Sequence, residues 1–140
     1  MALRRFALVF GIVFLIVGAA GFIPGMAAPH SHPDVSVTTG LGLELSLFPI
    51  NVLHNIVHLL FGVWGLMAAR SDAGARAYGK AVAIIYALLT VMGLIPALRL
   101  HTTFGLIPLY GNDVWLHALL AIVAGYFGFV LRAQETVRRA

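Results

Sequence analysis

Four long apolar stretches, at about residues 6–23, 47–69, 78–98 and 114–133, take up most of this 140-residue chain and leave few folds open to it. Each is near the roughly 20 residues that an α-helix needs to cross a bilayer. Hydrophobic residues make up 61% of the chain and charged ones only 10%, against about 25% charged in soluble domains. No length remains for a second globular domain. The sequence therefore predicts an all-α polytopic membrane protein: residues 1–140 form a single domain of four transmembrane helices in an antiparallel bundle.

The first stretch has a competing reading. Arg4 and Arg5, an apolar run and then Ala27-Ala28 resemble a secretory signal and its cleavage site. The run is longer than the roughly 7–15 residues of a signal core, so it is read as a retained helix.

A net charge of +4 with a pI near 10.1 could suggest nucleic acid, but the distribution argues against it. Arg4, Arg5, Arg70, Arg76, Lys80, Arg132, Arg138 and Arg139 fall on one side of a four-span arrangement, and only Arg99 on the other. Positive residues concentrate on the cytoplasmic side, which puts both termini and the 70–80 connection there. The expected location is the inner, cytoplasmic membrane of a bacterium. The expected partners are the lipid bilayer and other membrane subunits, not nucleic acid. With no cysteine, thiolate metal sites, disulfides and thiol catalysis are excluded.

Within the second stretch, Asn51, His54, Asn55 and His58 stand at i, i+3, i+4 and i+7, one face of a helix. Polar groups in hydrocarbon cost of order 2–7 kcal/mol each unless they find partners. In the fourth stretch Asp113 and His117 are four apart and share a face. The candidate metal ligands are His54, His58, His117 and Asp113, with Asn51 and Asn55 as an accompanying polar network. Nitrogen-rich sites of this kind suit zinc or copper. Haem held between His58 and His117 is the lesser alternative. Helix capping by Asp113 and plain interhelical hydrogen bonding by the whole cluster are the bland readings, and the capping role ranks ahead of ligation for Asp113. A proton pathway is a further alternative.

The two halves look alike. Gly21-Phe22-Ile23-Pro24 closes the first helix and Gly93-Leu94-Ile95-Pro96 the third, while Pro49 and Pro108 precede His58 and His117 by the same interval. This reads as a duplicated two-helix unit. Small residues follow each histidine, Gly62 and Gly65 in one helix and Ala121, Ala124, Gly125 and Gly128 in the other. Small residues let helices approach closely, which favours an ion over a macrocycle.

Other features carry less. His30 and His32 read as solvated loop histidines, and Val35–Thr39 alternates like a strand but is short. Ser71–Gly74 reads as a turn, and Glu44 and Arg99 as a cross-loop ion pair. No nucleophile elbow, phosphate loop or paired carboxylates is present, so enzymatic activity is not expected.

The segment from Phe48 through Asn51-Val52-Leu53-His54-Asn55-Ile56-Val57-His58 to Gly62, with Gly105-Leu106-Ile107-Pro108 and Asp113-Val114-Trp115-Leu116-His117, resembles a family of small bacterial four-helix membrane proteins known as a domain of unknown function. The resemblance covers the last three helices and implies a four-span inner-membrane protein, without an activity or cofactor. The expected function is that of a non-enzymatic integral membrane protein with a histidine-rich, metal-binding site toward the outer side. The alternatives are a structural subunit of a larger membrane complex, and a small transporter or proton-responsive protein.

Overall fold

A computed structural model describes residues 1–131, so Arg132, Arg138, Arg139 and the end of the last expected span lie outside the described residues. The chain is mostly helical: α1 is Ala2–Ala20, α2 Val52–Ala68, α3 Asp72–Gly93 and α4 Asn112–Gly125, the last continued by wider turns over Tyr126–Val130. Three helical stretches are long and apolar enough to cross a membrane, namely α1, α3 and Asn112–Val130. Helix α2 is equally apolar but has only 17 residues.

That shortness corrects the expected 47–69 span. Phe48–Ile50 is a strand, β3, and the helix starts only after Asn51, whose backbone is extended and whose side chain accepts a hydrogen bond from the His54 N–H at 3.0 Å. Asparagine favours this capping position because it satisfies one of the donors that a helix start leaves unpaired. Helix α3, in contrast, begins earlier than the expected 78. Ser71 caps it by accepting from the Gly74 N–H at 3.0 Å, and Asp72 sits in the first turn, where the helix dipole favours an anion. The expected turn at Ser71–Gly74 is therefore mostly helix.

The fold is not purely helical. Ala27–Pro29 (β1) and Gly42–Glu44 (β2) join β3 in a small antiparallel sheet of order β1-β2-β3, with Ala27 opposite Glu44 and Gly42 opposite Ile50. Strands of three residues are too short to show a period. The alternating stretch 35–39 is not one of them. Its Ser36 N–H instead donates to the Gly105 carbonyl at 2.8 Å, tying the loop between α1 and α2 to the loop between α3 and α4. That second loop (97–105) is a run of tight turns broken by positive φ at Leu98, Arg99, Thr103 and Phe104.

Helix α1 packs chiefly on α2, and α3 on α4. The contacts are made by small residues. A Cβ on Gly65 would lie 2.7 Å from Gly11 Cα, and one on Gly128 would lie 2.6 Å from the Lys80 nitrogen. Thus the small residues after His58 face α1, and those after His117 face α3. An aromatic core of Phe6, Phe14, Tyr78 and Tyr86 fills the centre, with Phe6 stacked on Phe127 at 4.5 Å. Large apolar side chains such as Leu60, Ile84, Leu88 and Ile122 face outward, as the outer surface of a protein in lipid requires.

The sheet, the 97–105 loop and the first turns of α2 and α4 gather at one end of the molecule. At the other, Arg4 donates to the Ala69 carbonyl at 2.8 Å, and Arg76 reaches that of Gly128 at 3.4 Å.

Candidate metal centre

The first two turns of α2 and α4 bring His54, Asp113 and His117 together, all buried, with one potential ligand atom from each lying within 4.8 Å of the others. The His54 ring is oriented by the bend that precedes its helix: Nδ1 stands 3.1 Å from the Pro49 carbonyl. A carbonyl only accepts, so Nδ1 carries the proton and Nε2 keeps its lone pair. Metal-binding histidines are commonly held in this way, with the second nitrogen donating to a backbone oxygen.

On α4, His117 Nε2 and Asp113 Oδ2 are 3.3 Å apart, yet Asp113 Oδ2 is buried without a hydrogen-bond partner. Two ligands placed about 2.0 Å from a tetrahedral ion are separated by roughly 3.3 Å. The pair thus has the spacing of two ligands to one ion without forming a hydrogen bond. Asp113 does not cap its helix. The cap position is Gly111 and no side chain bonds there, while the carboxylate turns inward.

His58 stands beside this group and not within it. Its ring centroid is 4.5 Å from that of His54 and 5.6 Å from Phe14, and its Nδ1 is buried without a partner. His54 and His117 are 6.1 Å apart by centroid, with Tyr86 set edge-on against His117 at 4.8 Å. A cavity of about 190 Å³ adjoins the site, lined by Val13, Phe14, Val17 and Leu120 together with His58 and His117.

The two asparagines behave differently. Asn51 is fully bonded: besides capping α2, its amide donates to the Val37 carbonyl at 2.9 Å and to that of Leu106 at 2.7 Å. It joins both of these loops to the start of α2. Asn55 has neither amide atom bonded and is pressed against Gly21, where a Cβ would collide with it. Asn51 thus bonds its own helix start and two loop carbonyls, whereas among the described residues Asn55, His58, Asp113 and His117 make no side-chain hydrogen bond to another helix. Among the described residues, every buried side-chain polar atom without a partner belongs to those four or to His101.

The register of the two halves extends to this site. Pro49, His54 and His58 stand at one constant sequence offset from Pro108, Asp113 and His117, so each half places an i, i+4 polar pair in the first turns of its second helix.

In the two loops at this end, Asp34, His101 and Tyr110 join residues that carried little in the sequence. Arg99 pairs with Asp34 at 3.5 Å, not with Glu44. Glu44 is buried at the end of β2, as is Gly42 at its start, and burial pushes its carboxyl above the usual range. His101 approaches the same Asp34, and His32 stacks on Tyr110 with centroids 4.3 Å apart. Burial raises the Tyr110 hydroxyl to about 12, so it stays protonated in its 2.9 Å hydrogen bond with His30. Burial, then the neighbouring His101, lowers His32 below its ordinary value. The only sequence signal for this cluster is His32-Pro33-Asp34, a short ligand spacing whose third member lies in the other loop.

The chain belongs to the DUF4383 family, a domain of unknown function, whose model matches residues 4–130. No curated protein and no solved structure matches it.

Proposed function

We propose that this DUF4383 protein is a four-span, non-enzymatic membrane protein that holds one zinc or copper ion through His54, Asp113 and His117. The observation that carries this reading is the buried Asp113 Oδ2, which lacks a hydrogen-bond partner and lies 3.3 Å from His117 Nε2. A carboxyl group sealed from water must be neutralised, and a divalent cation between the two groups would do so. Two imidazoles and one carboxylate form a donor set that zinc accepts, leaving a fourth position. His58, with its ring 4.5 Å from that of His54 by centroid, is the unbonded polar side chain beside it.

The same geometry disfavours haem. A cavity of about 190 Å³ falls below the roughly 300–1,000 Å³ of ordinary ligand pockets, and glycine contacts hold α1 against α2. The apolar walls of that cavity offer little to orient a polar substrate, which supports a role in binding over turnover.

The four-span reading takes α2 as the shortest crossing. Its 17 residues reach about 25 Å, within the range of membrane helices but short of the roughly 30 Å core. In this reading the sheet and both histidine-bearing helix starts face the outer side of a bacterial inner membrane. Arg4, Arg5, Arg70, Arg76 and Lys80 then lie on the cytoplasmic side, as the positive-inside bias requires.

Cobalt substitution tests the site. Cobalt(II) added to the purified chain in detergent is expected to give the intense visible bands of a low-symmetry bound ion, and Asp113→Asn and His117→Ala are expected to reduce them. A spectrum no different from cobalt in buffer would remove the metal reading.

A further inference from the structure

The outer loops carry a second constellation, independent of the buried one. We propose that His32, Asp34 and His101 form a second binding site for a divalent transition-metal ion of the zinc class, open to the outer aqueous side, which staples the first outer loop to the second.

The three side chains offer ligand atoms within 4.8 Å of one another, although His101 is 67 residues beyond Asp34. His101 Nε2 lies 3.4 Å from Asp34 Oδ2, the same ligand-to-ligand spacing as in the buried pair and close to the roughly 3.3 Å of a tetrahedral edge. His101 is 8% exposed, and its Nδ1 is buried without a partner. The ring is thus held buried with its Nε2 toward Asp34, unlike a solvated loop histidine.

The surroundings fix the ligands. Arg99 takes the other carboxylate oxygen, Oδ1, at 3.5 Å, which leaves Oδ2 directed to His101. Tyr110 stacks on His32, and His101 packs edge-on to His32 at 5.4 Å. Two features oppose an ion. The Arg99 guanidinium is a nearby cation, but its side chain is 50% exposed, so water and salt screen its repulsion. His32 Nδ1 also accepts a hydrogen bond from the Asp34 N–H at 3.2 Å, which binding would disturb. That contact is long, and one such bond is small beside metal ligation. With Asp34 partly exposed and three protein ligands, water completes the coordination.

The consequence is mechanical. Residues 32–34 and 101 belong to the two loops that Asn51 also ties together, so an ion here would close the polar cap above α2 from the aqueous side.

Zinc titration of the full chain in detergent, with bound ion counted after gel filtration, tests this. The wild-type chain is expected to take up one more equivalent than His101→Ala. His32→Gln, a change at a partly exposed position that leaves the fold intact, is expected to lose the same equivalent. Asp113→Asn is expected to retain it, which separates this site from the buried one. Equal uptake by wild type, His101→Ala and His32→Gln would overturn the proposal. So would loss of the equivalent in His30→Ala alongside its retention in His32→Gln, which would place the ion elsewhere.

Discussion

Replacing Asn51 probes the junction on which the outer cap and the buried site both rest. Its side chain accepts from the His54 N–H at 3.0 Å and donates to the Val37 and Leu106 carbonyls at 2.9 and 2.7 Å. Loss of a helix cap costs about 1 kcal/mol. Each donated bond contributes about 1 kcal/mol net, and a buried carbonyl left unpaired adds more. Asn51→Ala should therefore destabilise the protein by roughly 3 kcal/mol, about a third of it from the cap. Asn51→Asp keeps the cap acceptor but sets a carboxylate oxygen against two carbonyls, so it should lose at least as much as the two donated bonds. Denaturation in detergent, followed by helical circular dichroism, reads both values. Wild-type stability in Asn51→Asp would refute the reasoning, because it would show that the two loop contacts carry no energy and that Asn51 is only a cap.

The glycine contacts make contrasting expectations. Gly65→Ala drives a methyl into the Gly11 backbone and should cost about 1–3 kcal/mol, whereas Gly125→Ala meets only Ala83 at 3.8 Å and should be neutral or stabilise by about 0.5–1 kcal/mol in detergent melts. Equal losses would show that α1 does not press on α2 as described. For Glu44, burial raises the folded-state pKa above the ordinary 4.5, so its contribution to stability is full below that value and is lost as pH rises through the higher folded one. Glu44→Gln should accordingly raise the melting temperature at neutral pH more than at pH 4, and an equal shift at both would refute this. For topology, an impermeant thiol reagent on intact cells should label a cysteine at Thr38 but not one at Ala73, both exposed positions. Labelling at Ala73 would reverse the orientation.

The helices were legible because long, nearly uncharged apolar runs favour helix, and the shared face of Asn51, His54, Asn55 and His58 was legible because helical spacing is fixed. Asp113 and His117 followed by the same rule. What spacing could not reveal was direction and partnership. His58 and His54 share a face, yet His58 lies one turn further along α2, against Phe14 of α1, while His54 meets Asp113 and His117 of α4. Asp113 has the composition of a cap and the environment of a ligand, and only the packing of α4 distinguishes the two. The sheet escaped notice because its strands are three residues long. His101 escaped because its neighbours, His32 and Asp34, come from a loop on the far side of two helices, and nothing local to His101 announces them.

The central claim is that His54, Asp113 and His117 hold an ion, and zinc titration in a His101→Ala background tests it without the outer cluster. That protein, purified in detergent, is expected to bind one equivalent of zinc tightly, with the equivalent lost in the added presence of Asp113→Asn or His117→Ala. Acidification should release it, since a protonated imidazole cannot ligate. No tight zinc in the His101→Ala protein, or one equivalent that survives both added substitutions, would contradict the account.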